Sequence, residues 1–139
     1  VVPVRRAGLG MRDAVPEPAP DALVGHIGLQ RDEVTAVASH YYSKLPAGLA
    51  SSVVLVIDPM LATGHSFVRS IEALLKRGKP SYIYIASLVS VPDGISYVST
   101  NVKTPHSIWT CAVDEKLNDL FYIVPGLGDA GDLCFGPKI

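Results

Sequence analysis

Charge is sparse in this chain. Only 18% of its 139 residues are charged, and the 12 Lys and Arg against 13 Asp and Glu leave a net charge of −1 with no basic block. That balance excludes a surface built for nucleic-acid backbones or for an anionic membrane. Cysteine is nearly absent. Cys111 and Cys134 have no metal-ligand spacing and cannot make a disulfide framework, so both are expected to be small buried apolar residues. The one tryptophan, Trp109, falls within an apolar stretch and is expected in the core. No apolar run approaches the roughly 20 residues of a membrane-spanning helix. His26, His40 and His106 are scattered without metal spacing. The opening residues carry no signal-peptide pattern, which makes the cytoplasm the expected compartment.

What is present is apolar patterning. The hydrophobic fraction is 48%, and the length suits one domain with a real core. Val1 to Arg6 reads as a short strand already under way, so the domain is expected to be N-terminally incomplete. A small-residue turn, Ala7 to Met11, leads into a poor helix expected to end near Ala14, because Pro16, Pro18 and Pro20 do not fit a helix interior. Further strands are expected over Leu23 to Gln30, at Ser39 to Leu45 as an edge, over Tyr82 to Val89 and over Ser107 to Val113. Pro92-Asp93-Gly94 opens a short helix. The glycine-rich tail from Tyr122 to Gly136 interleaves Ile123, Val124, Leu127 and Phe135, which favours a packed loop. Strands alternating with helical stretches predict an α/β fold, an open parallel sheet flanked by helices.

The stretch around which the rest is organised is Val53 to Ser66, VVLVIDPMLATGHS. Five apolar, mostly β-branched residues suit a strand covered on both faces. Asp58 follows, then a turn with Thr63, Gly64, His65 and Ser66. From Phe67 the apolar positions Phe67, Val68, Ile71, Leu74 and Leu75 recur with helical spacing, and Gly78 is a natural stop. Strand, loop and helix in that order put the loop at the carboxyl end of a parallel strand, where open α/β sheets bind ligands. The unpaired N–H groups of a helix start suit a phosphate, and Gly64 lets the backbone come close. An ordinary turn with a Ser or Thr cap is the alternative.

The string Asp58-Pro59-Met60-Leu61-Ala62-Thr63-Gly64 resembles the phosphoribosyl-diphosphate (PRPP) loop of uracil phosphoribosyltransferases. In that family the loop typically continues Gly-Gly-Ser, and here His65 stands in the second glycine's place. The opening Val-Val-Pro-Val-Arg-Arg-Ala-Gly-Leu-Gly-Met, the segment Val24 to Asp32, Tyr42-Ser43-Lys44-Leu45-Pro46 and the tail Tyr122 to Asp132 resemble further segments of the same family. The resemblance covers nearly the whole chain. It implies a Rossmann-like phosphoribosyltransferase fold, one domain over residues 1–139 lacking the family's N-terminal third, and transfer of the phosphoribosyl group from PRPP to uracil, giving UMP and diphosphate. It implies Mg²⁺ held mainly through PRPP, with no direct metal ligand on the protein. A homodimer or higher oligomer and a GTP effector are implied as well.

Residue by residue, the resemblance assigns Arg6 and Arg31 to the diphosphate, Asp58 to the ribose, and Ala62, Thr63, Gly64, His65 and Ser66 to the 5′-phosphate, with Pro59, Met60 and Leu61 completing the PRPP loop. It assigns Ile123, Gly128, Asp129 and Ala130 to uracil, with Asp129 also near PRPP. Asp58, Arg31 and Asp129 are the expected catalytic set. The chemistry is consistent with these residue types. Guanidinium offers a fixed fork of donors to phosphate oxygens, and a carboxylate can accept ribose hydroxyls and favour a cation-like sugar. Backbone groups in a glycine-rich loop can pair with the edges of a planar base. Taken alone, Arg6 and Arg31 could be surface residues pairing with Asp13 or Asp32, and Asp114-Glu115 a solvated turn. The alternative function is a non-catalytic nucleotide- or PRPP-binding module, or a regulatory subunit, of the same fold.

Overall fold

The computed structural model describes residues 1–4, 6–15, 18–31 and 38–137, the side chains of residues 29–31 and 38–41 excepted. In chain order the elements are β1 (Val2–Pro3), α1 (Leu9–Arg12), β2 (His26–Arg31), β3 (Ala38–Lys44), β4 (Val53–Ile57), β5 (Met60–Leu61), α2 (His65–Leu75), β6 (Tyr82–Ser90), α3 (Pro92–Asn101), β7 (His106–Val113), β8 (Lys116–Leu117), β9 (Ile123–Val124) and α4 (Ala130–Phe135). The central sheet is parallel throughout. β1 pairs with β4, β4 with β6, and β6 with β7, while β5 runs beside the far end of β6. β2 and β3 form a separate antiparallel pair, linked to the main sheet by a parallel bridge between Val4 and Ile27. β8 and β9 make a small antiparallel pair.

The predicted apolar run Val53–Ile57 is β4 itself, and the expected helix follows it. Phe67, Val68, Ile71 and Leu74 of α2 pack with Val54, Val56, Ile83, Ile85 and Val98 in one continuous core. Full burial of each such side chain contributes about 1.5–3 kcal/mol. α2 begins at His65, two residues earlier than the apolar periodicity indicates, because His65 and Ser66 face the loop rather than the core.

Burial is one-sided where helices cover only one face of the sheet. Ile83, Ile85 and Ser87 of β6 are buried, while Tyr84 and Leu88, pointing to the opposite face, are exposed. Trp109 pairs in register with Ala86 on that opposite face and is 63% exposed, against the expectation of a core residue. Cys111, two positions on, is exposed, and so is Cys134 on α4, so the expectation of buried cysteines is corrected on both counts. The cause is the same for Trp109 and Cys111: no described helix covers that face of β6 and β7. In the tail, Ile123 is buried, but Leu127 and Phe135 are exposed, and the expected packed loop contains β9 and the short helix α4. Among the described residues, no helix is long and apolar enough to cross a membrane.

Candidate active site

The cleft forms where β4 ends. The chain leaves β4 at Asp58, whose N–H donates to the Ala86 carbonyl (3.1 Å). Pro59 follows, and its carbonyl accepts from both Leu88 and Val89 of β6 (3.0 Å each), so the backbone turns without leaving the sheet. β5 is the result, and it carries the chain up to the loop. Pro59 and Leu61 turn their side chains into the protein, whereas Met60 and Ala62 face the cleft.

Asp58 is half-buried at the floor, where its Oδ1 accepts the Met60 N–H (3.1 Å). Burial pushes its carboxyl up to about 7; the negative charge of Asp129 adds to the rise, and the Met60 hydrogen bond opposes it. The turn that follows depends on Gly64. It adopts φ +83°, and a Cβ there would lie 2.9 Å from the Gly94 carbonyl oxygen of α3. The left-handed position falls on Gly64, and His65 is already helical, so a side chain at 65 is accommodated. No side chain caps α2, whose cap residue is Gly64. Its first N–H groups therefore face the cleft with the positive end of the helix dipole behind them. An ordinary Ser or Thr cap is not what occupies this turn. His65 is exposed and held from two sides. Its Nδ1 lies 3.1 Å from Thr63 Oγ1, and its ring meets Tyr97 of α3 edge to face, with centroids 4.5 Å apart.

The tail closes the opposite wall. Gly128, Asp129, Ala130 and Gly131 line the cleft facing Asp58 and the residues Ala62 to Phe67. The tail is anchored by the Gly126 N–H, which donates to Asp114 Oδ2 (2.8 Å), so Asp114 is structural rather than a solvated turn. Asp129 caps α4 by accepting the Asp132 N–H (2.9 Å). The cleft is open to solvent on one side, and its volume is about 140 Å³.

Of the residues assigned to the site, Asp58, Met60, Ala62, Thr63, Gly64, His65, Ser66, Gly128, Asp129 and Ala130 line this one cleft. Ile123 does not: it is 2% exposed in β9, with its carbonyl packed against Gly126. Arg6 stands beside the cleft, where Nη2 pairs with Asp132; Arg12, not Arg6, is the partner of Asp13. Arg31 ends β2, and its side chain lies outside the described residues, as do Arg5 and Asp32. Sequence reasoning missed Ala7, Phe67, Phe121, Tyr122 and Gly131 as lining residues. Phe121 carries φ +61°, and Asn118 Oδ1 accepts from the Leu120 and Tyr122 N–H groups, so a local turn brings both aromatics to the cleft. Its only sequence signal is Asn118 itself, a residue that readily bonds the backbone just ahead of it.

A parallel sheet with an acid, a glycine turn and an uncapped helix start at the end of its central strand is the architecture of phosphoribosyltransferases. The fold agrees with that of a purine phosphoribosyltransferase from Pyrococcus horikoshii, with a TM-score of 0.60 at 22% identity over 83% of this chain and 70% of that one. The family model described as uracil phosphoribosyltransferase matches residues 1–137, and the chain belongs to that family. It is 47% identical over 138 residues to the uracil phosphoribosyltransferase of Malacoplasma penetrans, a match covering 99% of this chain and 66% of the relative. It is also similar to the AQ2163 protein from Aquifex aeolicus, with a TM-score of 0.91 and 36% identity over 99% of this chain and 65% of that structure. The chain thus spans 65–66% of the length of the curated relatives it matches.

Proposed function

We propose that this chain transfers the 5-phosphoribosyl group of PRPP to uracil, giving UMP and diphosphate. The observation that carries the reading is the single cleft lined by Asp58, by Thr63 to Ser66 and by Gly128 to Ala130. Those three groups suit the three parts of the reaction. The uncapped start of α2, with the hydroxyls of Thr63 and Ser66 and the His65 ring, suits the 5′-phosphate. Asp58 suits the ribose hydroxyls. Its carboxyl is held up to about 7 by burial, and positive charge growing on the sugar favours its ionised form at the moment of bond breaking. Arg6 and Arg31 take the departing diphosphate. The backbone of Gly128 to Ala130 takes the base edge, and Phe121 and Tyr122 give a planar ring an aromatic wall.

The chemistry asked of the protein is positioning and charge stabilisation at the anomeric carbon. Asp58 and Asp129 are hard oxygen donors whose charges repel one another across the cleft, and a bound dication relieves such repulsion. Among the described residues no group of three or more His, Cys, Asp or Glu side chains is arranged to hold a metal. The two carboxylates suit Mg²⁺ delivered on the phosphates of PRPP, where it would neutralise leaving-group charge. A homodimer or higher oligomer is supported by the exposed apolar residues Val53, Tyr84 and Trp109 on one sheet face. The single-domain reading of residues 1–139 is supported by the one continuous core. A cytoplasmic location and a GTP effector rest on family membership alone.

The test is UMP formation from labelled uracil and PRPP with Mg²⁺, beside an Asp58→Asn control. Turnover is expected in the parent and a loss of about 100-fold or more in the control. Chelation of Mg²⁺ is expected to abolish it. Binding of PRPP by folded protein with no turnover would overturn the enzyme reading in favour of a binding module.

A further inference from the structure

Arg6 and the tail are joined by a bond that the reaction scheme does not use. Arg6 lies in the turn after β1, beside Ala7 of the cleft wall, and its Nη2 donates to Asp132 Oδ1 on α4. Asp132 is fixed by its own backbone too, because its N–H donates to Asp129 Oδ1 (2.9 Å). The Nε and Nη2 side of the guanidinium lies against the first turn of α4. A Cβ on Gly131 would sit 3.2 Å from Arg6 Nε and 3.3 Å from Nη2. Nε is buried and has no hydrogen-bond partner in the protein.

This geometry divides the arginine's donors. Asp132 takes one of the guanidinium's five hydrogens, at Nη2, and in the proposed reaction the diphosphate is met at the Nη1 end. A diphosphate gripping that end fixes the guanidinium. Through Asp132 it fixes α4, and with α4 the adjoining Gly128 to Ala130. We infer that Asp132 is a positioning residue that couples the two substrates: an anion on Arg6 orders the tail that reads the base, so diphosphate raises the affinity for uracil. The inference rests on the proposed function, in which Arg6 serves the diphosphate and Gly128 to Ala130 serve uracil. Coupling by this route needs no movement of the phosphate loop, since neither Arg6 nor Asp132 belongs to it.

The experiment is equilibrium binding of labelled uracil to the full chain, with and without saturating inorganic diphosphate and Mg²⁺. The parent is expected to bind uracil at least about fivefold more tightly when diphosphate is present, the lower end of ordinary coupling between sites. Asp132→Ala removes the acceptor for Arg6 Nη2 and leaves the backbone N–H that Asp129 accepts. It is expected to bring that ratio to within about twofold of one, while each ligand alone binds within about threefold of the parent. A merely structural role would weaken both ligands and leave the ratio unchanged. Asp132→Asn, which keeps a neutral acceptor of the same shape, is expected to give a ratio between those of the parent and Asp132→Ala, and it decides the matter if Asp132→Ala fails to fold. A ratio near one in the parent, or an unchanged ratio in both variants, overturns the inference while UMP formation stands. A folded parent that binds neither ligand overturns the proposed function, and this inference with it.

Discussion

His65 brings a side chain to a loop built around close backbone approach, and it does so without strain because the left-handed turn falls on Gly64. Thr63 Oγ1 and the Tyr97 ring together fix the imidazole over the cleft. In the proposed reaction it adds one hydrogen bond to the 5′-phosphate, made in the ground state and the transition state alike. An interaction of that kind lowers KM without raising kcat. His65→Gly is therefore expected to raise the KM for PRPP about 3- to 10-fold, the net worth of one hydrogen bond, with kcat within about twofold of the parent. Steady-state kinetics with PRPP varied would check it. An equal fall in kcat would mean that His65 acts on the reacting centre instead.

At the scale of elements, the loop between β5 and α2 is held by a crossing of two backbones. Gly64 at the start of α2 and Gly94 in the first turn of α3 face one another. A Cβ on Gly94 would collide with the Ala62 carbonyl oxygen and lie 3.0 Å from that of Leu61. Both neighbours are backbone atoms and cannot swing aside. Gly94→Ala is expected to destabilise the protein by about 1–3 kcal/mol, as overpacking does, and to weaken PRPP binding because the loop must shift. Urea denaturation and equilibrium binding of PRPP would measure the two effects. Unchanged binding in the variant would mean that the loop keeps its shape without α3.

The limits of local reading are visible in the same elements. β4 and α2 were legible because their apolar spacing is local: a β-branched run for one, a helical period for the other. β5 was not, since it exists only because the Pro59 carbonyl meets two N–H groups of β6 some thirty residues away. α4 carried a signal that went unused. Asp129-Ala130-Gly131-Asp132 has the spacing of a capping pattern, and Asp129 indeed accepts the Asp132 N–H. The loop and tail residues of the candidate site were legible as strings. That Ile123 lies outside the cleft, and that Phe121 and Tyr122 lie in it, follows from the turn at Asn118 and from β8 pairing with β9.

The whole molecule decides two things that no segment does. One is burial of the sheet. Trp109 read as a core residue because it falls within an apolar strand, and Cys111 because free cysteine is ordinarily buried, yet the described helices α2 and α3 cover only one face of the sheet. The other is the ionisation of Asp58. Its carboxyl is withdrawn from water at the floor of the cleft and faces a second acid, so the folded state keeps the proton up to about pH 7. The unfolded chain releases it near pH 4. Between those values the folded state binds more protons than the unfolded one, so this group's contribution to stability falls as pH rises from about 4 to about 7 and is level above that. The full span corresponds to about 4 kcal/mol. Asp58→Asn removes the titration but keeps an oxygen for the Met60 N–H. The two proteins are thus expected to have nearly equal unfolding free energies at pH 4, with the variant about 4 kcal/mol more stable at pH 8. Urea denaturation across that range measures the difference directly, because other titrating groups cancel between the two. A difference that stays flat with pH would mean that Asp58 ionises like an exposed carboxyl. A difference that grows as expected would mean that the site carries a desolvated acid whose cost a cation-like sugar or a substrate-borne dication can offset.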